Sequence, residues 1–163
     1  MKEIPTGLNA KNSGLCYGLM SEFSGVRLSI SEFHELCRAE FSYLVSEHGF
    51  VEQALPGGPD ENPFRLRFNG PAASVVIEGR SYGSGLDVVL ERPTGESCRL
   101  VDILSLRAAG ETGSLLQLGD QDALIRHAAS MLSRHALDAL RGDEEIFRTA
   151  GKCPGQAMEK PPG

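Results

Sequence analysis

The sequence predicts an α+β domain: two layers, in which an N-terminal helix and a long C-terminal helix pack an antiparallel meander of four or five strands. Three observations predict it. One amphipathic helical pattern precedes Gly49 and another follows Gly119, with short alternating segments between them. Turns rich in Gly and Pro join those segments, as they join antiparallel neighbours. No helical stretch separates the middle segments, so parallel strands, which need a crossover, are excluded.

The first helix is expected from Ser29 to His48. Ser29 and Glu32 have capping-box spacing, and Leu28 and Phe33 fall at the two staple positions. Phe33, Leu36, Cys37, Phe41, Leu44 and Val45 recur every three or four residues and line one face, and Gly49 supplies the stop. Phe50 to Leu55 reads as the first strand. Three prolines and two glycines then make residues 56–63 a loop. Phe64 to Phe68 alternates, with Phe64, Leu66 and Phe68 inward and Arg65 and Arg67 outward. Asn69-Gly70 is a hairpin turn signal, after which Ala73 to Arg80 returns as a strand. Gly83-Ser84-Gly85 turns the chain into the alternating Leu86, Val88 and Leu90. Pro93 to Glu96 turns it again into a strand from Cys98 to Leu106, whose end also reads as a helical turn. Asp120 can cap a helix running to Arg141, with the stripe Leu124, Ala128, Met131, Leu132, Ala136, Ala139 and Leu140. Asp143 can cap a short last helix containing Ile146 and Phe147.

All four Lys lie in the flanks, at Lys2, Lys11, Lys152 and Lys160. The Gly-rich head, residues 1–24, and the Pro- and Gly-rich tail, residues 151–163, are expected to be disordered, leaving one domain over 25–150. Met20 reads as a start, which would make residues 1–19 an upstream extension. No secretory layout or run of roughly 18 apolar residues is present, so a cytoplasmic location is expected. Cys16, Cys37, Cys98 and Cys153 lack paired metal or redox spacing and read as free thiols.

The formal net charge is −6, which disfavours phosphate backbones and anionic lipid, so neither nucleic acid nor membrane is an expected partner. Chemistry finds little footing either. The cluster Gly79 to Gly85 is followed by a strand where a phosphate loop needs a helix. His127 and His135 stand two helical turns apart, and His34 and His48 near opposite ends of the first helix, so no metal site is expected. Ser81 and Ser84 lack a visible base, Cys37 sits on an apolar stripe, and capping accounts for Asp120 and Asp122. No catalytic residue and no cofactor is expected.

Charge patterning is more informative. Glu32, Glu35, Glu40 and Glu47 give the first helix an acidic exposed side that suits a basic protein, if it is more than a solvated face. Arg65 and Arg67 stand two apart on a strand, joined by Arg80 from its neighbour. They either pair with Glu78, Asp87 or Glu91 or form a cationic patch for a carboxylate or an acidic segment. The helix pattern Phe33…Phe41-Ser42-Tyr43-Leu44…Gly49-Phe50, a meander, and a long helix ending Leu140-Arg141-Gly142-Asp143 with Phe147 resemble several small uncharacterised bacterial families, many of them similar to immunity proteins of polymorphic toxin systems. That resemblance spans about Leu28 to Ala150 and implies neutralisation of a partner toxin by direct, non-catalytic binding in a monomer or homodimer. Its motifs are helix and turn signals, so no functional residue is carried over. The alternatives are a dimeric secretion chaperone or adaptor and an enzyme with a dispersed active site.

Overall fold

A computed structural model describes residues 27–55, 58, 61–80, 85–110, 112 and 119–151. The expected head over residues 1–24, the tail beyond residue 151, Cys16, Cys153, Ser81 and Ser84 lie outside the described residues, as does most of the Gly83-Ser84-Gly85 turn. So do residues 56, 57, 59 and 60 of the expected loop.

Helix α1 spans Ile30–Glu40 and starts with the expected capping box: the Ser29 hydroxyl accepts from the Glu32 N–H at 3.2 Å, and Glu32 accepts from the Ser29 N–H at 2.8 Å. The single helix expected to His48 is instead two. The backbone leaves helical geometry at Phe41 (φ −96°, ψ 14°) and resumes as α2, Ser42–Ser46. Phe41 and Leu44 are fully buried, whereas Val45, expected on the same stripe, is 48% exposed. The break at Phe41 resets the helical phase, so a periodicity carried straight through it misplaces Val45. Gly49 then adopts φ 70°, which lets the Phe50 N–H return to the Leu44 carbonyl at 2.9 Å.

Five strands follow: β1 Val51–Gln53, β2 Arg65–Asn69, β3 Ser74–Arg80, β4 Gly85–Glu91 and β5 Ser97–Arg99. They form one sheet in sequence order, and every neighbouring pair is antiparallel. The register aligns Phe68, Val75, Leu90 and Cys98 in one row and Leu66, Ile77 and Val88 in another. All seven are buried and belong to the core. The opposite face aligns Arg65 with Glu78 and Asp87, and Arg67 with Val76, Val89 and Arg99.

Three details depart from the sequence expectations. Strand β1 is shorter than Phe50 to Leu55. The β2–β3 turn is not a two-residue Asn-Gly hairpin, because Asn69 pairs with Ser74 and the Gly70 N–H bonds the Ala73 carbonyl at 2.9 Å. Gly70 serves there for space: a Cβ on it would lie 2.5 Å from the Phe50 ring. The strand expected from Cys98 to Leu106 ends at Arg99 and passes into helix α3, Leu100–Arg107. Leu100, Ile103 and Leu104 are all buried, and that spacing follows the helical rather than the strand period.

Helices α4 (Gln121–His135), α5 (Leu137–Leu140) and α6 (Glu144–Ala150) complete the described elements. The helix expected to continue to Arg141 breaks at Ala136 (φ −125°, ψ 21°). Asp120 occupies the N-cap position without a side-chain capping bond, whereas Asp143 accepts from the Glu145 N–H at 2.9 Å. The expected stripe from Leu124 to Leu140 is buried throughout, and it joins the two strand rows, Phe33, Phe41 and Phe147 in one cluster. The Tyr43 hydroxyl ties α2 to α4 by donating to the Ala129 carbonyl at 3.0 Å.

Two left-handed glycines separate conformational cost from packing cost. Gly49 has open space around its Cα, so Gly49→Ala should lose about 1 kcal/mol for the positive φ alone. At Gly142 (φ +79°) an added Cβ would lie 2.9 Å from the Ala72 Cβ and 3.0 Å from its carbonyl oxygen. Gly142→Ala should therefore cost roughly 1–3 kcal/mol more than Gly49→Ala. Urea unfolding of both variants measures the difference, and equal losses would contradict the close approach of α5 to the β2–β3 turn.

Candidate binding groove

The groove arises from unequal strand lengths. Strand β2 pairs with β3 from Arg65 to Asn69, but β1 covers only residues 67–69 on its other edge. Pairing between β1 and β2 ends at Gln53 opposite Arg67, and Asn62 and Pro63 lead into β2. A groove of about 380 Å³ is left between α1 and this uncovered edge, lined among others by Ile30, His34, Arg38, Leu55, Arg65 and Leu66.

Two contacts hold its walls. Glu52 lies in register with Phe68, so its side chain stands on the helix-bearing side of the edge strand. There it accepts three hydrogen bonds from Arg38, Nε to Oε2 at 2.9 Å and to Oε1 at 3.1 Å, and Nη2 to Oε1 at 2.7 Å. This clasp raises the Arg38 pKa and holds the Glu52 carboxyl below its ordinary range, so both partners stay charged. Opposite them, His34 Nε2 donates to the Pro63 carbonyl at 2.8 Å. A carbonyl only accepts, so Nε2 carries the proton.

Asn62 closes the end of the sheet. Its Oδ1 accepts from the Phe64 N–H at 3.0 Å while its Nδ2 donates to the Gly79 carbonyl at 2.8 Å. The Gly79 N–H bonds directly to the Phe64 carbonyl at 2.7 Å. One rung of the β2–β3 ladder is thus completed through a side-chain amide. Gly79 is required beside it, because a Cβ there would lie 2.9 Å from Phe64 and 3.2 Å from Gln121. Asn62 Nδ2 also reaches Glu78 at 3.3 Å.

The seven residues singled out by charge do not meet in one place. Glu32 is engaged in the capping box, which lowers its pKa. Glu40 lies 3.8 Å from Arg126. Glu35 and Glu47 are exposed and make no ion pair with another described residue. On the sheet, Arg67 pairs with Glu91 at 2.8 Å and Arg80 pairs with Asp87, the cross-strand arrangement. Of Arg65, Arg67 and Arg80, only Arg65 lines the groove, and it forms no salt bridge with a described residue.

Arg38, Glu52, His34 and Asn62 carry no sequence signal that joins them. Arg38 and Glu52 are 14 residues apart, and His34 and Pro63 are 29 apart. Glu52 reads as one more acid beside the first helix until the edge strand folds it against Arg38. Among the described residues, no group of three His, Cys, Asp or Glu side chains converges as a metal site requires. Burial pushes the Cys37 and Cys98 thiols up to about 12, so neither is an activated nucleophile. No described helix is long and apolar enough to cross a membrane. No protein-family model, no curated protein and no solved structure matches the chain.

The clasp gives a pH signature. Because the folded Glu52 carboxyl titrates below its ordinary 4.5, its contribution is complete above that value and is lost as pH falls through the lower folded value. Both partners are substantially exposed, so Glu52→Gln should cost no more than about 1 kcal/mol at neutral pH. That difference from the unsubstituted protein should shrink towards zero in acid. Urea midpoints of both proteins between pH 3 and 7 check this, and a pH-independent difference would contradict it.

Proposed function

We propose that the chain is a small binding module of the immunity type, which neutralises a basic protein partner by direct contact and without catalysis. The supporting observation is the distribution of unmatched charge. Arg67, Arg80 and Arg92 are taken up by Glu91, Asp87 and Glu96, and Arg38 by Glu52. Glu35 and Glu47 are exposed and form no ion pair with another described residue, and Val45 beside them is 48% exposed. Unmatched carboxylates with an apolar neighbour supply steering and some desolvated contact, the two contributions that a charged protein interface uses. A basic toxin domain, such as a nuclease, has the complementary chemistry.

The groove fits binding better than proton transfer. Arg38 and Glu52 hold each other in their charged forms, so neither is poised near neutrality as an acid or base.

Genetics tests the reading. Expression of a toxin encoded beside this gene should stop growth, and this chain should restore it. The double variant Glu35→Lys/Glu47→Lys should fold normally, since both positions are solvent-exposed, but lose most of the rescue. The proposal fails if no neighbouring gene encodes a toxin that the chain rescues, or if charge reversal leaves rescue intact.

A further inference from the structure

We propose that the groove between α1 and β2 is a second binding site, which takes an extended acidic peptide segment by adding it to the uncovered edge of β2. The site is separate from the acidic helical arm, and the inference stands whether or not that arm binds a toxin.

Backbone geometry is the first support. The rung between Phe64 and Gly79 directs the Phe64 N–H and carbonyl toward β3. Hydrogen-bonding direction alternates along a strand, so the Arg65 N–H and carbonyl point the other way, toward β1. Pairing with β1 ends at Gln53 opposite Arg67, and Arg65 has no backbone partner there among the described residues. An extended segment entering the groove meets this donor and acceptor in the geometry of a further strand.

The side chain of the same residue supplies the second support. Arg65 lies in register with Glu78, yet Glu78 accepts from Asn62 instead. The Arg65 Nε is buried and has no hydrogen-bond partner among the described residues. A buried guanidinium nitrogen left unpaired is unfavourable, and a carboxylate is its natural acceptor. The other charges facing the groove are accounted for differently. Arg38 and Glu52 neutralise each other, and Glu61 lies toward Gly58 on the loop wall. Glu61 opposes an acidic ligand, so the preferred carboxylate must stand at the Arg65 end. Ile30, 46% exposed, and Leu55 offer apolar contact for the flanking residue.

Selection from a phage-displayed library of random hexapeptides on the full chain tests this. Enrichment of sequences with one Asp or Glu beside β-branched residues is expected. Replacing that acid by its amide should weaken binding by about tenfold. Arg65→Gln should abolish the preference for the acid, Arg65→Lys should keep part of it, and Glu61→Gln should strengthen it. Bound peptide should also slow hydrogen exchange of the Arg65 N–H, which is expected to exchange faster than the Leu66 N–H in the free protein. The inference is overturned by the absence of enrichment, by enrichment of basic or neutral sequences, or by acid-dependent binding that Arg65→Gln leaves unchanged. Rapid Arg65 exchange that persists at saturating peptide would also overturn it.

Discussion

The register of the meander is the constraint on which the rest depends. It places Phe68, Val75, Leu90 and Cys98 in one row and Leu66, Ile77 and Val88 in the next, all facing the same way. Those rows are the sheet's share of a core that Phe33, Phe41, Ile103, Leu132 and Phe147 complete from the helices. A slip of one residue would turn Arg65 and Arg67 into that core and expose Phe68 and Leu66, which no compensating contact offsets. Asn62 defends the register at the open end of the sheet, where its amide replaces the second of the two backbone bonds between Phe64 and Gly79.

The same register sorts the charges. Because alternation sends Arg67 and Arg80 to the face away from the core, they meet Glu91 and Asp87 across the strands. These pairs are solvent-accessible and contribute little to stability. Their consequence is to leave the sheet with little free charge outside the groove. The carboxylates of Glu35 on α1 and Glu47 just after α2, and Arg65, each without an ion pair among the described residues, are therefore local features of opposite sign. One is an exposed arm and the other is a recessed edge, which is why they invite different partners.

A short edge strand creates the recess. Strand β1 has three residues against five in β2, so the ladder ends before β2 does. An exposed strand edge is a liability in a free protein, and it is limited here in two ways. Its uncovered length is small, and the Arg38–Glu52 clasp fastens β1 to α1 so that the groove has a fixed opposite wall.

Much of this was legible in the order of residues because it depends on local pattern. Period two from Phe64 to Phe68 and period 3.6 in Phe33, Leu36 and Cys37 determine which elements form. Ser29 with Glu32, and Asp143, mark two helix starts through bonds that reach only a few residues. Gly49 marks an end, because only its backbone adopts φ 70° without strain. The breaks at Phe41 and Ala136 and the four-residue turn after Asn69 were not legible, and the helical turn read at the end of the Cys98–Leu106 segment starts earlier, at Leu100. At Gly70 the reason is visible: the space it must leave is set by the Phe50 ring, a residue distant in sequence. The groove belongs to the same class. Sequence alone determined an acidic helix and an arginine-bearing strand. Only tertiary structure decided that Arg67 and Arg80 would be neutralised and Arg65 left open, because strand pairing and the reach of Asn62 to Glu78 are long-range contacts.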